Sequence, residues 1–199
     1  MLADGAQKTL ENQTALAPTT VDTPISFRHL LRHCSRADHD SAERLFEGFL
    51  RAPDRQLPWF LATQHSALTA LLQSRAPGDV LLSGLVLTDI IGRLAFDLRG
   101  LGRTPAPIEP AEPLDPLAVD YLVLGSRLGT ETMRRQLFGD RKREEVPQYF
   151  LTGTAPDLWR RHCAMLDDVA TGSSRAERIV KDTNTGFALF QRAALAQPR

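Results

Sequence analysis

From Phe27 to the last residues of the chain, apolar side chains recur at intervals of three and four, and in no segment do they alternate with polar ones. That period belongs to amphipathic helices and leaves no segment that reads as a strand. Phe27, Leu30, Leu31, Cys34, Ala42, Leu45, Phe46, Phe49 and Leu50 form a first helical region. Ser26 suits its N-cap, and Ser35-x-x-Asp38 reads as a second capping box that breaks it near residues 34–36. Pro53 and Pro58 close that region. Further helices are expected from Trp59 to about Arg75, over 80–101 and over 117–138. Between the last two, Pro105, Pro107, Pro110, Pro113 and Pro116 deny helix, since each removes a donor and restricts its predecessor. Segments 157–169 and 175–196 supply two more, parted by Thr171-Gly172-Ser173-Ser174, with Ser174-x-x-Glu177 as the cap of the last. The expected fold is all-α: a single-domain bundle of six or seven helices over 25–199, preceded by a flexible, polar arm over 1–24.

A length of 199 residues suits one domain with a sizeable core. With 24 basic and 24 acidic side chains the net charge is zero, which removes any global electrostatic case for binding nucleic acid or a membrane surface. Cys34 and Cys163 are the only cysteines, too few for a disulfide framework or a thiolate metal site, and they fit a reducing compartment. Residues 1–23 lack the apolar core of a secretory signal. The longest apolar stretch, 80–98, is interrupted by Asp89, Arg93 and Asp97, as in a buried helix rather than a membrane span. A soluble, cytoplasmic protein is the expectation.

Several chemistries drop out by inspection. There is no H-E-x-x-H, no Glu-x-x-His pair, no P-loop and no G-x-S-x-G elbow, so helix-borne zinc hydrolases and ferritin-like di-iron bundles lose their ligands. Of His29, His33, His39, His65 and His162, any one read alone is a packing or exposed residue. His39 has company, however. Arg32 (−7), Arg36 (−3), Glu43 (+4) and Phe46 (+7) fall on its face of a continuous helix. That face is either a solvated basic surface or a seat for a ligand that needs a nitrogen donor, two anion clamps and a flat apolar contact. Heme has that chemistry: iron, propionates and a macrocycle. In the fourth helix, Gly125 and Gly129 bare one strip of backbone at a cost of ~1 kcal/mol each against alanine. The strip serves either close helix packing or a helix lying across a flat ligand.

At these two segments the chain resembles the bacterial, biliverdin-producing heme oxygenase family of the bacteriophytochrome-associated type. The segment 31–43, with His39-x-x-Ala42-Glu43, is similar to the family's proximal helix, and Tyr121 to Gly129, with its Gly-Ser-x-Leu-Gly core, to its distal helix. Weaker likeness extends through Arg93 to Gly102, Trp159 to Leu166 and Glu177 to Phe187, so that it covers about 25–195 in order.

The resemblance implies a heme-oxygenase-like fold with heme between the two helices and His39 as the axial iron ligand. Arg32 and Arg36 would hold propionates, helped by Tyr121 and Arg160, while Ala42, Glu43, Phe46 and Phe187 complete the heme-binding set. Gly125, Ser126 and Gly129 would form the catalytic, gas-side surface. The implied reaction is cleavage of heme, both substrate and cofactor, by O₂ and electrons to biliverdin, CO and ferrous iron. A ferredoxin or flavin reductase would be the electron donor, and a bilin-accepting photoreceptor a recipient of the product. Thr130 stands where many relatives have another small residue, and it would crowd the ring if it faced it. Ser126 occupies the place of the carboxylate that organises distal water in animal members. Competing readings are a non-catalytic heme carrier or sensor of the same fold and a helical interaction module without heme. More remote is a hydrolase of related fold acting through Cys163.

Overall fold

The computed structural model describes residues 26–198, and the expected arm over 1–24 lies outside them. Among the described residues the chain is all-α, with eight α-helices and two short 3-10 turns. The first helical region is three helices, α1 (Phe27–Cys34), α2 (Arg36–Leu45) and α3 (Glu47–Arg51), where sequence spacing favoured at most one break. The first break follows from Ser35, whose hydroxyl and amide both donate to the Leu31 carbonyl, at 2.8 and 2.9 Å. Such back-bonding competes with the helical ladder and bends it. No capping box with Asp38 forms: Ser35 makes no side-chain cap to α2. The second break comes at Phe46, which leaves the helix to join an aromatic cluster.

Helix α4 (Pro53–Gln73) starts six residues earlier than spacing suggested and runs through Pro58 rather than after it. Pro53 sits at the N-terminus, where a missing donor costs nothing. The bond lost at Pro58 is the one to Asp54, in the exposed first turn. Helix α5 (Gly84–Gly100) starts later than expected, because residues 82–83 are held by a distant side chain. The amides of Leu82 and Ser83 and the Ser83 hydroxyl donate to the buried Asp120 carboxylate at 3.1, 2.8 and 2.6 Å. Then come α6 (Pro116–Phe138), the 3-10 turns Arg143–Glu145 and Gln148–Leu151, α7 (Pro156–Asp167) and α8 (Ser174–Ala196). The cap of α8 is Ser173, not Ser174: its hydroxyl accepts from the Ala176 amide.

The proline-rich strap between α5 and α6 is ordered by polar ties to α4. Ser74 accepts from the Ala111 amide at its hydroxyl and from the Leu114 amide at its carbonyl, each at 2.8 Å. Ser66 donates to the Ala106 carbonyl, and Gln197 clamps Ala106 from the other side with both ends of its amide.

Helix α4 lies centrally, packed on α5 and α8, while α6 packs on α8 and α7. The main core is aromatic at one end, where Phe49, Phe60 and Phe150 stack within 6.3 Å of one another. Helices α6 and α8 approach closely at Gly186. A Cβ added there would lie 2.1 Å from Leu122 Cδ1, so glycine is what admits that side chain. No helix among the described residues is long and apolar enough to cross a membrane.

Candidate functional site

His39 stands on α2 with its side chain half-exposed. One ring nitrogen is 3.4 Å from Asp40 Oδ1 and the other 3.6 Å from Glu43 Oε1. A carboxylate beside an imidazole fixes its tautomer and orientation, and here each ring nitrogen faces one, so a ligand would reach Nε2 only if the exposed Glu43 side chain turned away. The ring meets Phe187 of α8 edge-on, with centroids 5.6 Å apart and planes at 85°. Ala42, one turn on, is buried.

The neighbouring residues of α8 join the two helices singled out by sequence. Gly186 touches Leu122 of α6, and Phe187 touches His39 of α2. Helices α2 and α6 both pack on α8 yet barely meet each other. Along α6, Gly129 is exposed, and a Cβ built there finds nothing within 4 Å. Gly125 is different. Its Cβ would contact Trp159 of α7 at 3.7 Å, so the glycine pair is divided between a helix contact and open space. Ser126 is exposed, and its hydroxyl donates back to the Val123 carbonyl at 2.9 Å.

The Tyr121 phenol on α6 is pushed up by burial, and this is opposed by a hydrogen bond with Ser35 and by the charge of Arg32. Tyr121, Ser35 and Arg32 therefore converge where α1 gives way to α2. Arg36 lies 3.7 Å from Asp40 with its side chain largely exposed, and Arg160 pairs with Asp157 on α7.

Arg36, His39 and Glu43 keep a shared face of α2, but the helix is interrupted at Ser35 and Phe46, so the expected face does not extend as one continuous helix to Arg32 or Phe46. Phe46 packs against Trp59 and Phe60 of α4, at 6.0 and 5.3 Å between centroids. It belongs to the core rather than to the surface around His39.

Behind α6 lies a polar cluster that the sequence reading passed over. Arg127 is 1% exposed. Its Nη2 donates to Thr130 Oγ1 and to the Tyr149 hydroxyl, the latter at 3.1 Å, and its guanidinium lies 5.0 Å from the centre of the Tyr149 ring. No carboxylate pairs with it among the described residues, and its Nε and Nη1 are buried without partners. Tyr149 is set in place by Asp97, whose carboxylate accepts the Gln148 and Tyr149 amides, each at 2.9 Å. Burial raises the Asp97 pKa, and those two amides oppose the rise. Thr130 is buried and donates to the Ser126 carbonyl at 2.9 Å. It therefore turns into the core and away from the exposed strip at Gly129. The signal for Arg127 was available: it follows Val119 and Val123 at intervals of four, on the buried stripe of α6.

His162 on α7 is a packing residue, one of the two roles expected of it. It is fully buried between Tyr121 and Trp159, with neither ring nitrogen partnered. Burial lowers its pKa from 6.5 to about 4, against a smaller opposing effect of Asp120. Above about pH 6.5 both folded and unfolded states hold it neutral, so it contributes no pH dependence. Below that, the unfolded chain takes the proton first, and the fold loses stability until the pH reaches about 4. The ceiling is roughly 3 kcal/mol. Urea unfolding at pH 7 and pH 4.5 should show this loss in the wild type and a smaller one in His162→Leu; equal losses would remove His162 as the cause.

No protein-family model, curated protein or solved structure matches the chain.

Proposed function

We propose that the protein is a heme oxygenase, with a heme-oxygenase-like fold, that opens heme to biliverdin, CO and ferrous iron. The observation that carries this reading is that α2 and α6 both pack on α8 at neighbouring residues while barely touching each other. His39 of α2 rests against Phe187, the adjacent Gly186 admits α6, and Gly129 leaves a side-chain-free strip on that helix. The half-exposed His39 would hold the iron through Nε2 once the exposed Glu43 carboxylate, 3.6 Å from that nitrogen, turned away, with Asp40 holding Nδ1. Arg32 and Tyr121, converging at Ser35, fit a propionate. Phe46, in the aromatic core, has no part in the site.

When bound, heme is the substrate and also supplies the oxidation chemistry with O₂ and electrons from an external donor. This chain's residues bind and orient. Asp40 would fix the imidazole through Nδ1, Phe187 would limit its rotation, and Arg32 with Tyr121 would anchor one edge of the macrocycle. The bare backbone at Gly129 would admit close approach of a flat ring, while the Ser126 hydroxyl stays on its own helix. Arg127, Thr130 and Tyr149 brace α6 from behind.

The deciding experiment supplies the hemin-loaded protein with O₂ and a ferredoxin or flavin-reductase donor and analyses the products by chromatography. Biliverdin with CO is expected. Reduction without release of either would establish a heme carrier or sensor instead.

A further inference from the structure

A pocket of about 480 Å³ opens between α4, the C-terminal end of α5 and the start of the proline-rich strap. His65 lines it from α4, and Arg99 and Arg103 line it from the end of α5 and the turn that follows. No carboxylate is among the residues that line it, and neither arginine has an acidic partner among the described residues.

Local backbone geometry explains why the two guanidiniums share one opening. The Gly102 amide donates to the Arg99 carbonyl and the Arg103 amide reaches back to Leu98 at 2.9 Å, with Gly102 at φ +61°. This is a Schellman turn, for which glycine is favoured because the left-handed conformation strains other residues. It caps the last carbonyls of α5, so the negative end of the helix is largely spent on its own amides. The side chains then set the local charge. Arg103 is anchored by donation from Nη2 to the Pro198 carbonyl, while its Nε is buried without a partner. Arg99 is exposed. His65 is half-buried, and burial lowers its pKa, which favours the neutral ring with its one N–H donor.

We propose that this pocket binds the phosphomonoester head of a small organic ligand. Arg99 and Arg103 take two phosphate oxygens and His65 donates to the third, while Ala95, Leu98 and Pro105 cover the apolar body. Three donor side chains suit three terminal oxygens better than the two of a carboxylate. The volume falls in the usual range for organic ligands, roughly 300–1,000 Å³, and exceeds what a bare phosphate fills.

The test titrates the protein with phenyl phosphate, following the His65 ring signals by NMR. Saturable binding is expected, with the His65 pKa rising in the complex because a dianion now faces the ring. Arg99→Gln should weaken binding roughly ten- to a hundredfold. That variant should leave the fold intact, since Arg99 is exposed and its side chain makes no hydrogen bond or ion pair among the described residues. Arg103→Gln should act likewise, and Arg99→Gln keeps the test decisive if loss of the Pro198 contact loosens the second variant. Inorganic phosphate and benzoate should bind more weakly. The absence of a saturable response, or equal binding by Arg99→Gln, would overturn the site. Benzoate as tight as phenyl phosphate would overturn the phosphate head, and inorganic phosphate as tight would overturn the organic body.

Discussion

A His39→Ala variant is expected to lose the absorption spectrum of histidine-ligated heme and to bind hemin roughly a hundredfold more weakly, a change of about 2.8 kcal/mol. Its fold should be unaffected. His39 is half-exposed, its ring contact with Phe187 is edge-on, and its carboxylate neighbours lie at 3.4 and 3.6 Å. Removing such a surface group ordinarily changes stability by no more than ~0.5 kcal/mol. Loss of heme with an unchanged urea midpoint thus separates ligation from folding, and added imidazole should restore the spectrum by filling the gap. An unaltered spectrum in His39→Ala would move the ligand elsewhere. It would also undo the reading of α2 and α6 as the two walls of one site.

Helix positions were legible in the sequence because burial here is one-sided: α5, α6, α7 and α8 each show the period of three and four and end at punctuation visible in the chain. What escaped depends on contacts distant in sequence. The start of α5 is displaced by Asp120, 37 residues away from Ser83, and no local propensity encodes that bond. The passage of α4 through Pro58 is also tertiary. Trp59, Phe60 and Leu61 are buried immediately after it, and their packing outweighs the lost hydrogen bond.

The candidate site was legible in its residue types but not in its geometry. His39 and Arg32 could be named because ligand chemistry selects those types, whereas Tyr121 and Phe187 were named only through the family resemblance. Their arrangement could not be counted out at 3.6 residues per turn, because Ser35 and Phe46 reset the helix on either side of His39. Arg127 shows the converse failure. A charged residue on an apolar stripe is read as a surface exception until Tyr149 and Thr130 are seen to close over it. Burying a guanidinium without a carboxylate is costly, and here two hydroxyls and an aromatic face are what offset it.

The second large effect is expected at Gly129, where stability and ligand binding should change in opposite directions. Glycine within a helix is less favourable than leucine by roughly 0.5–1 kcal/mol, and a Cβ at this position meets nothing within 4 Å. Gly129→Leu should therefore raise the urea midpoint of the heme-free protein. If the bare strip of α6 faces the macrocycle, the same side chain fills the space the ring needs, and hemin binding should fall by at least roughly a hundredfold. Gly125→Leu is the contrasting variant. Trp159 stands 3.7 Å from its Cβ position, so the added bulk must displace an indole between α6 and α7, and stability should drop by about 1–3 kcal/mol. A stabilised Gly129→Leu protein that takes up hemin like the wild type would place the ligand off that face of α6. The distal half of the proposed site would then have to be abandoned, while His39 could still be judged by its own variant.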